Sequence, residues 1–420
     1  MAFVRSALVS LLLFTTATVA LPKPSAAPLP PSEDPWYTAP DDYESAAPGE
    51  VLKVRNAPGN LTEILGQNVS SIYHVLYRTT DSYDMPSWAV TTLLVPTNPL
   101  TVNGSMSMMS YLIPYNTVNV DYSPSYALDS LFSLGYRDIL PSLARGWYVN
   151  IPDFEGPEAA FTVSVEAAHA TLDSILAASA AESSLKNQHV RSALWGYSGG
   201  SLPSEFAAEI LPYYAPDIDL VGSAIGGLLP NISHTLEHVS GTLYTGLSPL
   251  ALLGVAQRYP EVRDYLDRDL KDCGPYNKTT FLATRDQTTN DAYGTFAGQE
   301  IEEYFKDGDE YLAATELDAA IDRNWHMGSY FTPRTPLYFY KAIQDEMSPI
   351  QATDDLVAKY CADGAAVLYE RNTVGNHLDE YTNGRLSAFN WLVSALEGTL
   401  ESDYGTDGCT IRNVTESVEQ

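Results

Sequence analysis

An α/β architecture on a mostly parallel sheet, interrupted by a helical cap, is the fold class this sequence predicts. Three observations carry it. Short apolar runs alternate with longer periodic, alanine-rich segments through residues 71–226. A glycine-flanked serine follows one of those runs and precedes the next helix. The strand pattern then fades near residue 228 and resumes near residue 336.

The elements follow in chain order. Residues 1–20 carry Arg5, an apolar run from Ala7 to Phe14 broken only by Ser10, and the small-residue ending Thr18-Val19-Ala20. That is the pattern of a cleaved secretory signal, and the run is short for a bilayer. No later segment reads as a membrane span. Residues 21–40, with Pro22, Pro24, Pro28, Pro30 and Pro31, predict an extended N-terminal segment. Strands are predicted at 71–79, 88–96, 107–114, 147–152, 189–195 and 220–226, with helices at 125–135, 138–147 and 157–182 and another from the serine turn to about Ile210. Helical segments near 247–259, 261–271 and 298–305 fill the interruption. Strands return at 336–343 and 365–370, and a closing helix covers 384–399. The core is therefore expected at 41–227 and 328–420, with 228–327 as the cap.

Charge and cysteine use set further bounds. The 420 residues hold 23 Lys plus Arg against 53 Asp plus Glu, a formal charge of −30. Nucleic-acid binding and polybasic membrane anchoring both need a basic face, and this composition argues against each. Six N-x-S/T sequons, at Asn60, Asn68, Asn103, Asn231, Asn277 and Asn413, suit a secreted glycoprotein. The cysteines Cys273, Cys361 and Cys409 allow one intrachain bridge. Cys361–Cys409 would tie the terminal segment to the last strand–helix unit; Cys273 with either partner is the alternative. No metal-ligand spacing is present. The chain is expected to be a monomer, although one unpaired cysteine permits a covalent dimer.

The sequence Gly196-Tyr197-Ser198-Gly199-Gly200 is the most informative stretch. A G-x-S-x-G turn between a strand and a helix is a nucleophile elbow, the mark of an α/β-hydrolase. It exposes Ser198 Oγ at the carboxyl edge of the sheet, and the helix N-terminus offers unpaired N–H groups to a developing oxyanion, Gly199 first among them. Serine needs a base, and the hydrolase order is serine, acid, histidine. Of seven histidines, His74 lies in a strand, His169 in a helix, His189 at the wrong strand end, and His234, His238 and His326 in the cap. His377, in the loop after 365–370, is the expected base. Asp345, directly after the strand 336–343, is the expected acid, with Glu346 the main competitor and Asp354 and Asp355 weaker ones. The second oxyanion donor is expected from a backbone N–H of Tyr115-Asn116-Thr117, the loop after 107–114, with Asn116 and Thr117 as the candidates. The chemistry these residues support is acyl transfer without metal or organic cofactor. A peptidase would need a charged clamp for a peptide terminus, which is not found; an inactive binding protein usually lacks the serine or the base.

The elbow, Asp345-Glu346-x-x-Pro349 and His377 together resemble the fungal secretory lipase family, the group typified by Candida antarctica lipase A. PSYAL at 124–128, IPDFEGP at 151–157, ALWGYSGG at 193–200, IGG at 225–227 and TPRTPLYFY at 332–340 extend the likeness over about residues 40–400. The resemblance implies a secreted ester hydrolase working on acylglycerols through an acyl-serine. Ser198, Asp345 and His377 would be the triad, Gly199 an oxyanion donor, and Cys361–Cys409 an expected bridge. Two departures stand out. The family often has an aspartate where Asn116 falls, and a cysteine before P-S-Y-A, where this chain has Tyr122 and Ser123. Cys273 would be the orphaned partner of that second bridge. The expected substrate is a neutral lipid, with a short-chain or metabolite deacetylase as the alternative. The leucines of the cap, Leu228 to Leu253, serve either an acyl tunnel or the cap's own core.

Overall fold

The computed structural model describes residues 28–418; the expected signal and the first residues of the extended segment lie outside them. The strands are β1 (Val51–Asn56), β2 (Val69–Thr80), β3 (Pro86–Pro96), β4 (Thr101–Val102), β5 (Ser105–Leu112), β6 (Tyr148–Pro152), β7 (Val190–Tyr197), β8 (Asp219–Gly226), β9 (Leu337–Ala342), β10 (Val367–Asn372) and β11 (Cys409–Val414). They form one sheet in the order β1-β2-β3-β6-β5-β7-β8-β9-β10-β11, with β4 paired to β5. From β6 to β11 every neighbour is parallel; β1, β2, β3 and β4 pair antiparallel. Central strands buried on both faces explain why β9 reads as the near-continuous run LYFYKA, every residue of it buried.

The register decides where the site falls. Leu112 pairs with Gly196, Tyr197 with Gly226, and Gly226 with Tyr340. The carboxyl ends of β5, β7, β8 and β9 therefore stop side by side, and the loops leaving them share one edge, where open parallel sheets place their sites. The helix Ser164–Ala181 packs on β2 and on the helix Ser201–Tyr214. It is buried on nearly every side, and its alanines allow the close approach.

Several expected elements differ. The helix predicted from 157 begins at Ser164, because Ala159 and Thr162 take positive φ angles of 51° and 64° and turn the chain before it. The helix expected at 125–135 is only Pro124–Ala127, followed by a 3-10 turn at Ser133–Gly135. At 298–305 there is a 3-10 turn, Ile301–Tyr304. β1 and β11, the two edge strands, were not anticipated. Between β8 and β9 the elements of the described residues are helical: Ile232–Val239, Leu247–Arg258, Pro260–Asp269, Lys278–Leu282, Thr289–Phe296 and Thr315–Asn324, with 3-10 turns among them. Leu228, Leu236, Leu250 and Leu252 are fully buried there, whereas Leu243 is 69% exposed. A bidentate ion pair of Arg258 with Glu166, 2.7 Å at both nitrogens, fixes this region to the core.

Cys361 and Cys409 form a disulfide that joins the helix Ile350–Ala362 to β11, and Cys273 is free and exposed. Among the described residues no helix is long and apolar enough to cross a membrane.

Candidate active site

Ser198 sits at the turn from β7 into the helix Ser201–Tyr214 with φ +53°, a left-handed conformation costly for a residue with a side chain. The surrounding glycines make the turn possible. A Cβ at Gly196 would meet the Gly200 carbonyl oxygen at 2.1 Å, and one at Gly200 would meet the Leu112 carbonyl oxygen at 2.0 Å. The elbow is therefore pressed against the end of β5. The Gly199 amide opens the helix and has no preceding turn to donate to.

His377 is the first residue of the helix His377–Asn383, not a loop residue as expected. Asn376 and Asp379 form a capping box that sets the helix start and so the ring's direction. Its Nε2 lies 2.8 Å from Ser198 Oγ and its Nδ1 2.8 Å from Asp345 Oδ2. With Asp345 ionised, the network assigns the proton to Nδ1, leaving the Nε2 lone pair to accept from Ser198.

Asp345 leaves the end of β9, and its side chain is fully buried. Oδ1 accepts the amides of Met347 and Ser348 at 3.0 and 2.9 Å, and Oδ2 also accepts from Lys341 Nζ at 3.0 Å. Burial pushes this carboxyl up, but the Lys341 cation, then His377 and the Ser348 amide, hold it well below the usual range. Lys341 also donates to the Leu228 carbonyl at 2.7 Å, and burial pulls its own pKa down against the attraction of Asp345. Each competing acid is occupied elsewhere. Glu346 accepts the His377 backbone amide at 2.8 Å and the Tyr244 hydroxyl at 3.0 Å. Asp354 pairs with Arg371, and Asp355 accepts from Gln351.

The loop after β5 also lies at the elbow, in an unexpected orientation. The Thr117 amide donates to Glu155 Oε2 at 3.3 Å, and the Asn116 amide also bonds that carboxylate. Neither amide faces the elbow; the Asn116 side chain does. A Cβ on Gly199 would come within 1.8 Å of Asn116 Oδ1, so only glycine fits there. Asn116 has φ +44°, is 7% exposed, and its Oδ1 has no hydrogen-bond partner. Because amide oxygen and nitrogen are interchangeable by a flip, the NH2 group can take that position and point at the same place. Thr289, the first residue of the helix Thr289–Phe296, donates to the carbonyls of Tyr115 and Asn116, 3.1 Å from each.

Lys341, Glu155, Tyr244 and Thr289 were not anticipated as site neighbours, and Glu346, expected as the competing acid, instead holds the His377 backbone amide. Lys341 alone left a signal: a cation inside an apolar strand, four residues before the acid. Among the described residues no group of three or more His, Cys, Asp or Glu is placed to hold a metal ion. The arrangement can activate a hydroxyl nucleophile and hold a developing negative charge, which is the requirement of acyl transfer.

Comparison with known proteins agrees with this chemistry. A model of the secretory lipase family matches residues 128–403. Trichothecene C-3 esterase of Fusarium sporotrichioides is 44% identical over 400 residues, covering 93% of this chain and 89% of that protein. Lipase A of Arthroderma benhamiae is 33% identical, covering 91% and 83%. The crystal structure of Candida antarctica lipase A superposes with a TM-score of 0.82 over 94% of this chain and 91% of that one, at 23% identity. That likeness establishes the fold as the α/β-hydrolase fold.

Proposed function

We propose, from the premise that this chain belongs to the secretory lipase family and is a carboxylic-ester hydrolase, that it cleaves the C-3 ester of a trichothecene or a similarly compact ester. The observation that carries this choice is the 44% identity to the trichothecene C-3 esterase across nearly the whole of both chains. An extracellular location accompanies the reading, supported by the family and by the sequons, of which Asn60, Asn103 and Asn413 are exposed.

The course of reaction follows from the distances. Ser198 Oγ attacks the ester carbonyl as His377 Nε2, 2.8 Å away, takes its proton. Asp345 keeps the ring in the required tautomer and stabilises the imidazolium without itself taking the proton. The Gly199 amide and the Asn116 side chain receive the oxyanion. The tetrahedral intermediate collapses, the ester C–O bond breaks, and the imidazolium protonates the departing alcohol. Water then adds to the acyl-serine as Nε2 takes its proton, the Oγ–acyl bond breaks, and the imidazolium returns that proton to Ser198 Oγ as the acid leaves.

Triacylglycerol hydrolysis is the second reading, favoured by the 33% identity to Lipase A. Initial rates on esters of two to eighteen acyl carbons, with Ser198→Ala as blank and a C-3 trichothecene ester alongside, separate the two. A maximum at acetyl, with turnover of the trichothecene ester, is the expected result. A maximum at eight carbons or longer without that turnover would give the substrate to the lipase reading.

A further inference from the structure

We propose that Glu155 is a positioning residue for the oxyanion: it clamps the turn Tyr115–Thr117 so that the Asn116 side chain faces Gly199. This rests on the reading of Asn116 as an oxyanion donor.

Glu155 lies in the segment that leaves β6, and Asn116 in the loop that leaves β5, its parallel neighbour. The two loops are joined in both directions. The Thr117 amide donates to Glu155 Oε2 at 3.3 Å, and the Asn116 amide bonds the same carboxyl group. The Glu155 amide in turn donates to the Tyr115 hydroxyl at 2.5 Å. Tyr115 itself is 2% exposed and its ring packs, tilted by 59°, at 4.8 Å from Phe154, so its hydroxyl is a fixed point.

The clamp accounts for two otherwise costly features. A residue with a side chain at φ +44° is uncommon and persists where its surroundings hold it. Glu155 over-determines it by holding the amides on either side of the Asn116 Cα. A carboxyl group 2% exposed with an unpartnered Oε1 is also expensive to keep. Burial pushes the pKa of that carboxyl well above its usual range. Burial thus disfavours a full negative charge on the group that orients the loop, beside the site where one must develop. Without Glu155 the two amides lose their acceptor, and the turn has no reason to keep Asn116 over Gly199.

The test is a double-mutant cycle on the purified protein, with an activated short-chain ester. Asn116→Ala is expected to lower kcat by about 100-fold, the usual loss for one oxyanion donor, with KM within about twofold. Glu155→Leu is expected to lower kcat by at least about 30-fold with KM likewise unmoved, and Glu155→Gln, which keeps the acceptor, to stay within about threefold of the parent. In the Asn116→Ala background Glu155→Leu is expected to cost less than about threefold, because the residue it positions is gone. If Asn116→Ala leaves kcat unchanged, the oxyanion reading fails. If Asn116→Ala lowers kcat but the Glu155→Leu loss is absent, or is the same size in both backgrounds, the clamp is wrong and Glu155 serves the fold alone. Should Glu155→Leu not fold, Tyr115→Phe removes the opposite end of the clamp. It is expected to lower kcat about fivefold in the parent and not at all in Asn116→Ala; equal losses in both would overturn the proposal.

Discussion

Replacing Lys341 by methionine keeps the stem of the side chain and removes one buried cation. Lys341 Nζ and Asp345 share a fully buried contact of 3.0 Å, and the ammonium also holds the Leu228 carbonyl at 2.7 Å. Breaking a buried pair from one side costs about 3–5 kcal/mol, because the partner charge stays behind. Asp345 retains the His377 Nδ1–H and the amides of Met347 and Ser348, so the low end, about 3 kcal/mol, applies here. Thermal unfolding at pH 7 should show it as a fall of roughly 5 °C. The pH dependence has a definite sign. The folded pKa of Asp345 lies below its unfolded value, so its contribution is present above about pH 4 and is lost only as pH falls through the folded pKa. Methionine removes the main cause of that depression. The acid limb of stability therefore moves to higher pH, by at most roughly two pH units if all of the loss fell on the carboxylate, at about 1.4 kcal/mol per unit. At pH 7 the carboxylate is still ionised and kcat falls only modestly, by about tenfold or less. A Lys341→Met protein that melts with the parent and keeps the parent's acid limb would refute the idea that this cation holds the acid ionised.

Three further outcomes follow from the same coordinates. Asn116→Asp puts an ionisable group where the neutral amide faces Gly199, so kcat should fall as pH rises through the new carboxyl's pKa, while the parent shows no such limb; pH–rate profiles of the two proteins check it. Cys361→Ser with Cys409→Ser opens a bridge spanning 48 residues and should cost about 4 kcal/mol in the chain-entropy account, read as a lower melting temperature with kcat nearly unchanged. Enzymatic removal of N-glycans from protein secreted by a fungal host should lower its mass, with Asn60, Asn103 and Asn413 among the carriers because each is exposed; an unglycosylated product would contradict the extracellular reading.

The parts of the site that were legible in the sequence are those fixed by local geometry. Gly196 and Gly200 must be glycine because neighbouring carbonyl oxygens lie where a Cβ would go, and that demand survives as a five-residue pattern between a strand and a helix. Asp345 and His377 were found by position, each after a buried strand, although the capping box that makes His377 a helix residue went unread. The loop 115–117 was expected at the elbow and lies there, but its backbone N–H groups were expected to face Ser198; the Thr117 amide instead turns to Glu155, 38 residues away. The left-handed turns at Ala159 and Thr162 carry no glycine to announce them, so helix propensity ran too far back along the chain. β1 and β11 were missed because edge strands lack the continuous apolar run of a central one; β11 reads CTIRNV and is exposed at its four central positions.

Whole-protein mass analysis after treatment with an organophosphonate ester, followed by peptide mapping, tests the central claim most directly. The account predicts one phosphonyl adduct per chain, carried on Ser198, formed in step with loss of ester hydrolysis and absent from Ser198→Ala. No adduct on a folded protein, an adduct on another residue, or undiminished turnover by Ser198→Ala would contradict it.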